Sequence, residues 1–197
     1  VFKGFFHELF NKFKRKTPNF GSYLAPSALI EFTPTIACDV IVKDLVDYHI
    51  GRGKQILLVI SSAKKNLYTM KMEDYLDIGV VKLAIIGLEG EPMNLKSNTV
   101  WIPINQLEWF SELWKTLSSN NLVIFEPLSD LVLINDVRPT YKFFRATLES
   151  LLNKKCSIIA FINKEAHPPL VVSSFEDLFQ KIAEIGPTGE LVIKKAV

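Results

Sequence analysis

From residue 28 onward, short apolar runs alternate with segments of helical periodicity, and this alternation restricts the fold more than any other feature of the chain. The run at 55–60 is nearly continuous in Ile, Leu and Val, as in a strand buried on both faces of a parallel sheet. Comparable runs predict strands at 28–32, 81–86, 99–102, 122–125, 157–162 and 191–194. Between them, apolar spacing predicts helices at 36–49, with Val40, Ile41, Leu45 and Val46 turned inward, and at 66–77, 106–117, 140–153 and 175–184. The stretch after 125 reads as a loop. A strand that returns parallel to its neighbour needs a crossover, so the pattern predicts a three-layer α/β/α domain with a mostly parallel, doubly wound sheet.

Residues 2–15 stand apart from this pattern. Phe2, Phe5, Phe6, Leu9, Phe10 and Phe13 recur at helical spacing, with Lys3, His7, Asn11 and Lys14 elsewhere on the wheel. This predicts an amphipathic helix that ends before Pro18. The domain boundaries that follow are an N-terminal helix at 1–20 and one domain at 21–197, since 197 residues suit a single core at roughly 100–200 residues per domain. The Phe face can cover the chain's own sheet, dock on a protein partner or second copy, or lie on an anionic membrane surface. Packing on the chain itself is the first expectation, a partner or homo-oligomer the second, and peripheral membrane contact through residues 2–15 the third.

Charge and cysteine usage narrow the function classes. Residues 1–16 hold five Lys or Arg and one Glu, a net +4. The whole chain carries only +2, so the remainder stands at −2. The cluster Lys12, Lys14, Arg15 and Lys16 suits a solvated helix end, and a body without a basic stripe argues against nucleic acid as a partner. Cys38 and Cys156 each stand alone in an apolar stretch, which fits neither a disulfide framework nor a paired-cysteine zinc site and leads to the expectation of a reducing, cytoplasmic setting. His7, His49 and His167 lack the spacing of metal ligands, so no metal is expected; His167, beside Pro168 and Pro169, reads as a solvated loop residue.

In an open α/β sheet, ligands sit at the carboxyl ends of the strands, which directs attention to the segment after the first one. It reads Phe32-Thr33-Pro34-Thr35-Ile36-Ala37-Cys38-Asp39, preceded by Leu29-Ile30-Glu31. Later come Leu122-Val123-Ile124-Phe125-Glu126-Pro127-Leu128-Ser129, an apolar strand closed by an acid, and the core run 157–163. In this order the chain resembles the KaiC-like members of the RecA group of P-loop ATPases, over residues 27 to 197. It is also similar to uncharacterised proteins of hyperthermophilic archaea in Ile159-Ala160-Phe161-Ile162-Asn163 and Val192-Ile193-Lys194-Lys195. The resemblance implies a RecA-like sheet in which residues 32–39 stand where the phosphate loop would be, Glu126 stands where the magnesium-binding acid would be, and 175–197 form a last helix and closing strand.

That chemistry needs glycines to let backbone N–H groups approach phosphate, a Lys for the β and γ phosphates, and a hydroxyl for magnesium. Carried over residue by residue, the glycine positions hold Phe32 and Ala37, the lysine position Cys38 and the hydroxyl position Asp39. An Asp at a helix start suits the helix dipole but sets negative charge where phosphate would lie. The stretch Ser61-Ser62-Ala63, where the family carries acids that activate water, offers no general base. Cys38 is expected as a buried thiol in place of the lysine rather than a reactive one. Glu31, Glu126 and Asp130 are expected to meet near adjacent strand ends, in a structural role. The reading is a degenerate P-loop domain, a pseudo-ATPase without catalytic residues or cofactor that acts as an interaction or regulatory module. The alternative is an atypical nucleotide-binding protein or weak phosphohydrolase that uses Glu126.

Overall fold

A computed structural model describes residues 24–88, 94–186 and 189–196. The Phe-rich helix expected at 2–15 and part of the loop expected at 87–97 lie outside them. Eight strands form one sheet in the order β4-β3-β2-β5-β6-β1-β7-β8. They are β1 (Ser27–Phe32), β2 (Gln55–Ser61), β3 (Val81–Gly87), β4 (Thr99–Pro103), β5 (Asn121–Phe125), β6 (Ser157–Asn163), β7 (Lys181–Ile185) and β8 (Leu191–Ala196). The first seven run parallel, and β8 pairs antiparallel with β7.

Alternation along each strand divides the core into two layers, because successive side chains point to opposite faces. Ala28, Ile30, Leu122, Ile124, Ile159 and Phe161 pack on one face with α1 (Cys38–Ile50), α2 (Lys65–Lys71) and α3 (Glu73–Asp77). Leu29, Val123, Phe125, Ile158 and Ala160 face the other way, toward α4 (Trp109–Lys115), α5 (Leu128–Asn135), α6 (Val137–Asn153) and α7 (Pro169–Glu176). Aromatic rings fill that second layer. Phe144 meets Phe125 edge-on at 4.8 Å between centroids and Phe175 at 6.2 Å, while Phe110 stacks on Trp114 at 5.0 Å. Such pairs add about 1 kcal/mol each beyond the area they bury.

Four expectations are corrected. Residues 175–184 are not one helix: α7 ends at Glu176, and Lys181–Ile185 is the strand β7, paired parallel with β1. Phe175, Leu178, Phe179 and Ile182 do have helical spacing, but pairing with the open side of β1 overrides that local pattern. The start of α7 is local, since Pro169 stands at its first position, where the missing N–H costs nothing. The loop after 125 contains α5, which buries Leu128, Leu131 and Val132. On α1, Val40 is exposed while Cys38, Val42 and His49 join Leu45 and Val46 inside. The helix at 66–77 breaks at Met72, between α2 and α3.

Candidate functional site

Because seven strands are parallel, their carboxyl ends share one edge, and the segment between β1 and α1 lies there. Its own groups close it. The Ile36 N–H donates to the Thr33 carbonyl at 3.1 Å, the Cys38 N–H donates to the Ile36 carbonyl at 2.8 Å, and the Thr33 and Thr35 hydroxyls meet at 3.0 Å. An anion-binding nest requires successive N–H groups aimed outward through a left-handed residue. Among the described residues, positive φ occurs at Gly53, Gly79, Asp136, Lys155 and Gly189, none of them in 33–37. The Ala37 cap has no side-chain oxygen to offer, and Phe32 and Ile36 pack partly into the α1 layer.

The charges around the start of α1 come from three elements. Cys38 is buried, and its thiol is pushed up by burial first and then by the Glu126 carboxylate, against the pull of Lys64. Asp39 pairs with Lys71 at the end of α2. Glu126, one residue past β5, extends the ladder by donating its N–H to the Val59 carbonyl at 3.0 Å. The residue is 3% exposed. Burial raises its proton affinity, the ammonium of Lys64 opposes that, and Asp130 and Asp39 add to it. Oε1 of Glu126 accepts from Lys64, which closes a short 3₁₀ turn (Ser62–Lys64) at the end of β2. Oε2 has no partner among the described residues, nor has the hydroxyl of Tyr68, a fully buried α2 residue on the same side.

Tertiary contacts modify the charge at the helix start that the residues suggest. Asp39 is not a bare carboxylate there, because Lys71 neutralises it, and Lys64 brings a second ammonium into the same corner. Neither lysine carries a local signal of this role, although Lys64 directly follows Ser61-Ser62-Ala63 and β2 pairs directly with β5. The carboxylates also separate. Glu126 and Asp130 share a neighbourhood, but β6 stands between β5 and β1, and Glu31 pairs instead with Lys194 of β8 at 2.8 Å.

His167 is buried rather than solvated, with Nε2 unpartnered and its proton affinity lowered by burial. His49 is buried near the far end of α1, and His7 lies outside the described residues. Among the described residues, no group of three or more His, Cys, Asp or Glu side chains is placed to hold a metal ion. No helix there is long and apolar enough to cross a membrane.

No protein-family model matches the chain, and no curated protein matches it by sequence. Solved structures do match by shape. PH0250 from Pyrococcus horikoshii OT3 superposes with a TM-score of 0.63 at 12% identity, over 86% of each chain. The flagellar accessory protein FlaH from Methanocaldococcus jannaschii superposes with a TM-score of 0.51 at 14% identity, over 91% of this chain and 84% of that one. The mostly parallel, RecA-like sheet expected from the residues is the fold this chain shares with these archaeal proteins.

Proposed function

We propose that this chain is a RecA-like domain without triphosphate chemistry, a pseudo-ATPase that serves as a protein-interaction or regulatory module in the cytoplasm. The observation that carries the reading is the self-closed β1–α1 segment. Its Ile36 and Cys38 N–H groups are spent on its own carbonyls, a buried thiol stands in the lysine position, and Glu126 is committed to Lys64. A phosphate arriving there would find neither an outward nest nor a free cation at the helix start. Two free, buried cysteines suit a reducing compartment.

One observation favours a second reading, in which an atypical nucleotide site draws on Lys64. That ammonium stands beside the helix start, and Glu126 keeps one oxygen uncommitted. Thermal unfolding with and without millimolar ATP or ADP and magnesium separates the two. A ligand at about 100 times its Kd stabilises a fold by about 2.7 kcal/mol. The module reading expects no shift, and a concentration-dependent rise in Tm refutes it. Light scattering on the full chain tests the assembly half, for which a self-associating species is expected and a strict monomer counts against homo-oligomerisation.

A further inference from the structure

The segment between β2 and β3 is thinly anchored in its first half. Among the described residues 62–77, only Tyr68 and Met72 are buried, and Tyr68 is the buried residue of α2. α3 is tied to its surroundings, since the Tyr75 hydroxyl donates to Oδ1 of Asp47 on α1 at 2.8 Å and the Asn98 side chain donates to the Leu76 carbonyl at 2.8 Å. α2 is held differently. Lys64, Tyr68 and Lys71 recur at spacings of four and three, which sets them on one helical face. Lys64 pairs with Glu126 past β5, and Lys71 pairs with Asp39 in the first turn of α1. Between these two contacts along the helix, the Tyr68 ring enters the α1 layer of the core.

Tyr68 closes this contact imperfectly. The residue is fully buried, yet its hydroxyl has no hydrogen-bond partner among the described residues. A hydroxyl gives up water when it is buried, and where no protein group replaces that bond the closed arrangement is penalised. The ion pairs offset the penalty only in part, because Lys64 and Lys71 are both partly exposed and pairs of that kind contribute little. A helix of seven residues has little stability of its own in water. The break at Met72 separates it from the tethered α3.

We propose that α2 is a strap over the carboxyl edge of the sheet, which opens about Met72 while the sheet stays folded. Closed, its two lysines neutralise Glu126 and Asp39. Open, it leaves both carboxylates bare beside the start of α1. The strap is thus an autoinhibitory contact on that corner, shut by the ion pairs at its ends and kept loose by the orphaned hydroxyl in its middle. It needs no assumption about nucleotide, so its failure and that of the pseudo-ATPase reading are separate events.

The test is native-state hydrogen exchange on the full chain, followed amide by amide at urea concentrations below the unfolding transition. The α2 amides, together with the Met72 N–H that donates to the Tyr68 carbonyl at 3.0 Å, are expected to be protected about 100-fold less than those of β5 and to respond little to urea, as local opening requires. Tyr68→Phe keeps the ring and removes the orphaned hydroxyl, so it is expected to raise α2 protection about fivefold or more. Lys71→Met removes one end contact and is expected to lower it about threefold. Protection of α2 equal to that of β5 with the same urea dependence overturns the strap. So does Tyr68→Phe with unchanged or lower protection, or Lys71→Met without a loss. The wild-type comparison needs no variant and decides by itself whether α2 opens separately.

Discussion

The ammonium of Lys64 rests on Oε1 of Glu126, a buried carboxylate 62 positions further along the chain. Removing one partner of a fully buried pair costs about 3–5 kcal/mol, because the other charge is left uncompensated. Lys64 is partly solvated, which lowers the figure. Lys64→Ala is expected to lose about 2 kcal/mol in urea denaturation. Replacing both partners at once, with Lys64→Met and Glu126→Leu, is expected to cost much less than the single change, because no orphaned carboxylate remains. Equal losses in the single and double variants would show that the pair is not what holds β2 against β5 there.

Burial pushes the thiols of both Cys38 and Cys156 up. Cys156 also donates to the Ser118 carbonyl at 2.9 Å. Since the thiolate is the reactive form, an aromatic disulfide reagent at neutral pH is expected to label neither cysteine in the native state, and both at once when denaturant is added. Rapid native labelling of Cys38 would restore the reactive-cysteine reading of the α1 start.

His49 has its proton affinity lowered to about 4 by burial first and then by Arg52 and Lys54. Between that value and the ordinary 6.5 the unfolded chain binds the extra proton and the folded one does not. The contribution is therefore whole above about pH 6.5 and falls away toward pH 4, by about 3 kcal/mol at most. Denaturation across this window is expected to show a steeper loss in wild type than in His49→Phe, and parallel curves would exclude His49 as the titrating group.

Asp136 joins α5 to α6 at φ 67° and ψ 164°, a region reserved almost wholly for glycine. Its side chain makes no capping hydrogen bond to α6 that would offset the strain. Asp136→Gly is expected to stabilise the domain by about 1 kcal/mol, visible as a higher midpoint at unchanged slope in urea, while Asp136→Ala gains nothing. A loss of stability in the glycine variant would mean that the carboxylate has a role that outweighs the backbone.

Much of the fold is legible in the residues because strand formation in a buried parallel sheet leaves a local mark. The runs around Val59, Ile85, Ile124 and Ile159 are apolar on both faces, and each is a strand close to its expected bounds. The segment 181–185 reads wrongly as helix because Ile182 belongs to two periodicities at once. The site is legible only in part. The glycine-free run from Thr33 to Ala37 can be read directly, whereas the pairing of Asp39 with Lys71, 32 positions away, leaves no local trace.

The residues alone therefore determined the α/β class and the approximate strand segments, since these follow from backbone preference and side-chain type within a few neighbouring positions. Tertiary structure decided the strand order, which lysine meets which carboxylate, and that His49 and His167 are buried. Those outcomes depend on contacts between distant segments, whose free energy is set by how the layers pack rather than by any stretch of sequence read by itself.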